Sequence, residues 1–186
     1  MTKRARESRD AILNAAERLV REAAVQHLTL DAVAAAAGRS KGGVLYHFAG
    51  KEALIQGMLD RVLARYDDAI TDRAATDPAP GAAARAYAAV STPGESDWAP
   101  TDHLCAALVA ALVHDPALLA PLRAQYDSWQ ARLEADAPDP VAATVVRLAA
   151  DGLWLTELLG LHRLDPAMRQ RVRDRLTAMT EPEDAP

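Results

Sequence analysis

The side chains best suited to recognition chemistry lie in one short stretch, residues 38–48, which reads GRSKGGVLYHF. Those that carry positive charge or donate hydrogen bonds are Arg39, Ser40, Lys41, Tyr46 and His47. Such groups bind phosphate oxygens and the edges of nucleic-acid bases. The stretch lacks the G-x-x-x-x-G-K-[ST] spacing of a P-loop and no strand is predicted before it, which argues against a nucleotide site. It therefore favours contact with a nucleic acid, with a glycine-rich turn between core helices as the alternative.

Two glycines inside this stretch support the same interpretation. Gly42 and Gly43 each cost a helix roughly 1 kcal/mol relative to alanine. Because they lack side chains, they let a helix backbone approach a DNA duplex closely. Val44 and Phe48 are four residues apart and share the opposite face, so they are predicted to enter a small core. Lys51 begins the next helix and is again suited to phosphate.

Four predicted helices position these residues. They cover residues 6 to about 24, 30–37, 40–48 and 51–72. Thr29 and Ser40 are good N-caps, and Asp31 suits the positive end of a helix dipole. Gly38 is placed to end the second helix. Two short helices joined by about three residues around a glycine form a helix-turn-helix, whose second helix enters the major groove of DNA.

One dipeptide, Asp-Pro, recurs in the rest of the chain. Asp-Pro occurs at 77–78, 115–116, 139–140 and 165–166. Asp as N-cap with Pro in the first turn starts helices. The predicted helices are 80–91, 101–114, 116–135, 140–160 and 166–179. With no convincing strand, the expected fold is all-α with about nine helices.

Charge is distributed unevenly along the 186 residues. The net charge is −5, yet residues 1–66 carry +4 and residues 67–186 carry −9. A basic N-terminal module on an acidic body fits a nucleic-acid partner. A single cysteine, Cys105, excludes an internal disulfide. No hydrophobic run follows the basic start, so we do not expect a secretory signal. The longest apolar stretch, 141–161, contains charged residues, so we expect a cytoplasmic protein without membrane contact.

The segment LTLDAVAAAAGRSKGGVLYHFAGKEALI resembles the DNA-binding signature of the tetracycline-repressor (TetR) family of bacterial regulators. The resemblance covers roughly residues 8–56. It implies a helix-turn-helix domain over residues 1–50, a connecting helix over 51–72, and an effector-binding and dimerisation domain within 51–186. The DNA contacts that it implies are Thr29, Arg39, Ser40, Lys41, Gly42, Tyr46, His47 and Lys51. Leu45 stands where many members have tyrosine.

The stretch 141–161 is apolar almost all round, so one subunit can hardly cover it. Together with the helix over 166–179, it suits a two-fold, four-helix interface. Gly152 would allow a close helix approach. The interface residues expected are Val145, Leu148, Gly152, Leu155, Leu159, Met168 and Val172.

The aromatic residues of the C-terminal part have two open interpretations, ordinary core or the lining of an effector cavity. The candidates for such a cavity are Tyr87, Trp98, His103, Tyr126, Trp129 and Trp154. His103 and Cys105 are two residues apart and do not share a helix face, which argues against a metal site. Cys105 has no identifiable orienting acid, so no catalytic residue and no cofactor are predicted.

These patterns favour a non-enzymatic, homodimeric regulator of transcription. The preferred hypothesis is a repressor that a small molecule releases from a palindromic, double-stranded operator. An activator would have the same sequence features. The alternative from another class is an all-α protein-interaction module or enzyme that does not act on DNA.

Overall fold

The computed structural model of the protein describes residues 2–23, 27–92, 104–105, 108–109 and 119–181. Within these residues the chain forms eight α-helices and no strand. The helices are α1 (Lys3–Ala23), α2 (Leu30–Ala36), α3 (Lys41–His47), α4 (Lys51–Ala75), α5 (Ala82–Ser91), α6 (Leu119–Asp136), α7 (Pro140–Leu158) and α8 (Pro166–Ala178). The predicted all-α class is confirmed.

One predicted helix, over residues 101–114, lies mostly outside the described residues. Four residues of this segment are described, 104–105 and 108–109, and all four are helical. The Asp-Pro pair at 115–116 also lies outside the described residues. No helix in the described parts of the chain is long and apolar enough to span a membrane.

The short helices α2 and α3 begin at the two caps that the sequence predicts. Thr29 Oγ1 and Ser40 Oγ each accept a hydrogen bond from the backbone N–H three residues further on, both at 3.1 Å. Gly38 follows α2 with a φ of 62°, a left-handed conformation that favours glycine. Helix α3 ends one residue earlier than predicted, because Phe48 has an extended backbone with φ −139°. Its ring is buried.

The Asp-Pro pattern predicts two helix starts correctly and one incorrectly. Asp139 and Asp165 cap α7 and α8, and the proline that follows each occupies the first turn. The pair at 77–78 starts no helix; α5 begins after Gly81, whose φ is 82°. The carboxylate of Asp77 accepts hydrogen bonds from the backbone N–H of Ala79 at 3.1 Å and from Nε of Arg85 at 2.7 Å. The bond from Arg85 is the main reason why the pKa of Asp77 lies below its usual value.

The chain forms two compact units. Unit 1 contains α1, α2, α3 and the part of α4 up to Leu63, and unit 2 contains α4 from Ala64, α5, most of α6, α7 and α8. In unit 1 the apolar side chains of four helices form a shared core. Its fully or almost fully buried members include Ile12, Leu13, Ala16, Val33, Val44, Phe48, Leu54 and Met58. The predicted inward direction of Val44 and Phe48 is confirmed.

Glycine at position 57 lets α4 approach this core closely. A Cβ at Gly57 would lie 2.8 Å from Cε1 of Phe48 and 3.1 Å from Cδ2 of Leu13. Real Cβ atoms do not tolerate the shorter distance, so even alanine would force the Phe48 ring to move. The guanidinium of Arg9 lies 5.1 Å from the centre of the same ring.

A charged side chain ties α4 to α1 inside unit 1. Arg61 donates to Oδ1 of Asp10 at 2.7 Å, to Oδ1 of Asn14 at 2.6 Å and to Oε1 of Glu17 at 3.3 Å. Glu17 is almost fully buried and also accepts from Arg21. A buried carboxylate is tolerated only when it is paired, so these contacts favour one register of α4 along α1.

Helix α5 forms the centre of unit 2. Six of the seven residues from Ala82 to Ala88 are buried, all except Arg85. The most extensive contacts of α5 are with α7 and α8. One cluster joins Ala88, Val146 and Leu176, with Val172 and Met179 packed against it. Alanine-rich helices can pack at short distances because their side chains are small.

A polar network crosses the same unit. The hydroxyl of Tyr87, which is 1% exposed, donates to Oδ1 of Asp151 at 2.5 Å. Arg147 donates to Oδ2 of Asp151 at 3.0 Å and to Gln130 Oε1 at 2.5 Å. Burial raises the pKa of Asp151 above its usual value, and the bonds from Tyr87 and Arg147 only partly oppose this. The ionised carboxylate therefore depends on both donors.

We expect Tyr87→Phe to destabilise unit 2 by about 1–3 kcal/mol, because it leaves the partly buried carboxylate of Asp151 without one of its donors. The lost bond favours the ionised form of Asp151. The decrease in the free energy of unfolding should therefore be largest near neutral pH, and it should become smaller as the pH falls into the range in which Asp151 binds a proton. Chemical denaturation at several pH values measures both effects.

Tyr46→Phe is the matched control, because the Tyr46 side chain is 81% exposed. It should change the free energy of unfolding by less than about 0.5 kcal/mol at every pH. Equal destabilisation by the two variants, or a Tyr87→Phe penalty that grows as the solution is acidified, would contradict this account.

Candidate DNA-binding site

Helix α3 has one buried face and one exposed face. Val44 is 0% exposed and Phe48, which follows the helix, is 3% exposed. On the other side Tyr46 is 81% exposed and Leu45 43%. The Tyr46 ring contacts the ring of His47 edge-on, with 5.0 Å between their centres. The core thus fixes which side chains of α3 remain available to a partner.

The two glycines of α3 differ in their surroundings. A Cβ at Gly43 would lie 3.3 Å from Oγ of Ser40, so glycine fits the cap closely. A Cβ at Gly42 would meet nothing within 4 Å. The protein itself therefore gives no steric reason for glycine at position 42, whereas a surface that α3 approaches closely would give one.

All nine residues that the sequence assigns to DNA binding lie in unit 1, around the two short helices. Thr29 caps α2, and Arg39, Ser40 and Lys41 follow one another at the start of α3. The Arg39 and Lys41 side chains are exposed, and Lys51 is the half-buried first residue of α4. Gly42, Gly43, Tyr46 and His47 all lie on α3. Cations, hydroxyls and an exposed ring are therefore grouped on and beside one helix.

Sequence reasoning missed an ion pair at this surface. Nζ of Lys41 lies 3.0 Å from Oδ2 of Asp31, and both side chains are exposed. Asp31 is predicted to lie at the start of α2, and it does lie in the first turn of that helix. Its separation of ten residues from Lys41 fits no single-helix pattern, so only the turn between α2 and α3 could reveal the contact.

Aromatic side chains converge on Trp129 in unit 2. The centre of its ring lies 5.8 Å from that of Tyr66, 5.7 Å from that of Tyr87 and 5.2 Å from that of Tyr126. Burial, followed by the nearby charge of Asp151, raises the pKa of Tyr126 to about 12. Three of the six predicted effector residues, Tyr87, Tyr126 and Trp129, therefore lie together. Tyr66 belongs to the same group but was not predicted, because its position fits the apolar pattern of α4.

The other three effector candidates are placed differently. Trp154 is half-buried on α7, and Trp98 and His103 lie outside the described residues. Near the aromatic group, Asp67 accepts hydrogen bonds from Trp129 Nε1 and from Arg132, each at 2.8 Å. Among the described residues, no group of three or more His, Cys, Asp or Glu side chains could hold a metal ion.

An exposed apolar stripe runs along α7 and reaches α8. Its members, with exposed fractions, are Val141 (71%), Val145 (43%), Leu148 (56%), Leu155 (40%), Leu159 (51%) and Met168 (39%). Gly152 lies within it, and a Cβ there would meet nothing within 4 Å. On α7 the stripe repeats at alternating intervals of four and three residues, the spacing of a helix-packing face. Val172, also predicted for the interface, packs against the core of its own unit.

Two family models match the chain. The model for bacterial regulatory proteins of the tetR family matches residues 12–58, and the model for the tetracyclin repressor-like C-terminal domain matches residues 81–181. A search of curated proteins gave no significant match.

Solved structures resemble the whole chain. A TetR family member from Streptomyces coelicolor A3 is 27% identical over 94% of this chain and 98% of its own, with a TM-score of 0.74. The multidrug binding protein EbrR complexed with malachite green is 27% identical over 92% of this chain and 97% of its own, with a TM-score of 0.69. EbrR complexed with ethidium is 26% identical over 93% and 98%, with a TM-score of 0.70. With one of the family models covering more than half of the sequence, this chain belongs to the TetR family of bacterial regulators.

Proposed function

We propose that this protein is a homodimeric transcriptional repressor, acting in the cytoplasm, that a small molecule releases from a palindromic DNA operator. Residues 1–50 are the DNA-binding domain in this proposal, and the helix over 51–72 connects them to the effector and dimerisation part within 51–186. The observation that supports this proposal is the exposed face of α3. This face combines cations with Tyr46, which is 81% exposed, and with Gly42, where a Cβ would meet nothing within 4 Å.

The chemistry of this face suits the major groove. Lys41 and Arg39 can reach phosphates or guanine edges from the start of α3. Tyr46 can donate its hydroxyl to a phosphate or pack its ring on a thymine methyl group. At Gly42 the backbone can come close to the duplex, since no side chain stands between them.

A second copy of the chain is the partner we propose for the apolar stripe. A single chain that exposes such a stripe to water is prone to association. In a two-fold dimer the same surface meets itself, and Gly152 would let two α7 helices cross closely. Two α3 helices could then occupy successive major-groove turns, roughly 34–36 Å apart.

The effector class that we propose is an aromatic cation. EbrR forms complexes with malachite green and with ethidium, both aromatic cations. In this chain the rings of Tyr66, Tyr126 and Trp129 adjoin the carboxylates of Asp67 and Asp151. Aromatic faces attract organic cations. The two carboxylates are already paired with Arg132 and Arg147, so the attraction that we propose comes chiefly from the ring faces. An effector that prefers a different spacing of the two α3 helices would shift the population away from the DNA-binding state, and DNA would weaken effector binding by the same factor.

We expect Lys51→Ala to weaken binding to all duplexes and to lower the salt slope by about one phosphate contact. Tyr46→Ala should also change the preferred sequence, because a base contact is lost; such contacts discriminate by about 1–3 kcal/mol. Fluorescence anisotropy on duplexes selected from a random pool, over a series of salt concentrations, measures both.

Arg123→Ala is the control, since Arg123 is an exposed cation on α6 in unit 2. It should leave DNA binding almost unchanged. Unchanged affinity for DNA in the Lys51 and Tyr46 variants would contradict the proposal and favour a protein-interaction module or an enzyme that does not act on DNA.

Leu148→Glu should convert the dimer to a monomer, because it places a charge in the middle of the apolar stripe. Light scattering after size-exclusion chromatography reports the mass directly. Leu45→Glu introduces the same charge at a comparably exposed leucine on α3, outside the stripe, and should leave the dimer intact. A wild-type protein that is monomeric at micromolar concentration, or a dimer that survives Leu148→Glu, would refute this interface.

Malachite green should quench the tryptophan fluorescence of refolded, ligand-free protein in a saturable manner, since Trp129 lies at the centre of the aromatic group. The uncharged leuco form of the dye is the matched control and should bind more weakly. Equal binding of the two forms would exclude a preference for cations, and quenching that never saturates would exclude a site.

A further inference from the structure

An acidic side chain lies within the otherwise basic surface around α3. Asp31 is the only acidic residue between Glu22 and Glu52 in the sequence. Its Oδ2 lies 3.0 Å from Nζ of Lys41, and the side chains are 71% and 55% exposed, respectively. The ion pair therefore lies at the aqueous surface, beside the exposed face of α3.

Neither folding nor helix capping explains why this carboxylate faces Lys41. Asp31 lies in the first turn of α2, where a negative charge suits the helix dipole, and that role needs no cation ten residues away. The cap of α2 is already supplied by Thr29. Ion pairs as exposed as this one contribute little to stability.

We propose that Asp31 is a specificity-determining residue, which weakens binding to arbitrary DNA by neutralising Lys41. The inference rests on the DNA-binding function proposed above. A lysine that binds a backbone phosphate releases condensed cations and adds affinity for every sequence. When Lys41 pairs with Asp31, the carboxylate competes with phosphate for the same ammonium and is itself repelled by the DNA backbone.

At the operator sequence the pairing of Asp31 with Lys41 lowers the affinity for DNA by a smaller factor. An ammonium group has three N–H donors, so Lys41 can keep its bond to Asp31 and still donate to O6 or N7 of a guanine. The carboxylate then holds the lysine in position. Asp31 is thus expected to lower affinity for arbitrary duplex more than affinity for the operator.

Asp31→Asn tests this directly, because it keeps the side-chain shape and removes the charge. Binding to a mixed-sequence duplex at low salt should tighten roughly 3- to 10-fold, and the slope of log affinity against log salt should steepen by about one contact. Binding to a duplex selected from a random pool by the wild-type protein should tighten less. The ratio of the two affinities, measured by anisotropy over a salt series, should therefore fall.

Two further variants separate the local pair from overall charge. Asp60→Asn removes one charge from an exposed residue of α4 in the same unit, whose carboxylate accepts a hydrogen bond from Gln56. It should change mixed-sequence binding less than Asp31→Asn does. In a Lys41→Ala background, Asp31→Asn should have no more effect than Asp60→Asn.

Equal gains from Asp31→Asn and Asp60→Asn, or a gain that persists without Lys41, would overturn the inference and leave the proposed function standing. A wild-type protein that binds no duplex in a salt-dependent manner would overturn the proposed function itself. Thermal melting of each variant shows that it is folded, and Asp31→Gln repeats the test should Asp31→Asn lose its structure.

Discussion

A helix of seven residues is not stable alone in water, and α3, the helix that carries the candidate recognition face, has only seven residues. It also contains two adjacent glycines, which lower its helix propensity further. Its structure therefore depends on burying Val44 and Phe48 in the core of unit 1. This packing constraint explains why position 57 must be glycine, because a Cβ there would meet the Phe48 ring. The contacts of Arg61 fix α4 to α1 around the same core.

The same constraint gives the exposed face its precision. Once Val44 and Phe48 are buried, helical geometry leaves Tyr46 and the side chain of Lys41 in water. The Ser40 cap fixes the start of the helix. A recognition surface can thus be built from a marginal helix, because its orientation is set by neighbouring helices rather than by its own stability.

Unit 2 joins its helices by a different means. Small alanine side chains allow α5 to lie in the interior, and charged groups are paired across helices, as in the bonds of Asp151 with Tyr87 and Arg147. Its outer face on α7 remains apolar and exposed. An interior joined by hydrogen bonds between helices and an apolar outer face together fit the proposed dimer.

Local patterns in the sequence determined the all-α class and the separation of buried from exposed residues on α3, because both follow from helical periodicity. They also determined the caps Thr29 and Ser40 and the Asp-Pro starts of α7 and α8, because these depend on hydrogen bonds between residues close together in the chain. They misassigned the pair at 77–78, where Asp77 accepts hydrogen bonds from the Ala79 backbone N–H and from Arg85, yet the helix begins only after Gly81. Only the tertiary structure decided the pairing of Asp31 with Lys41, the convergence of Tyr66 with Tyr87 on Trp129, and the three contacts of Arg61. Each of these joins different helices, and the separation of two residues along the chain does not fix their distance in space until the helices have packed.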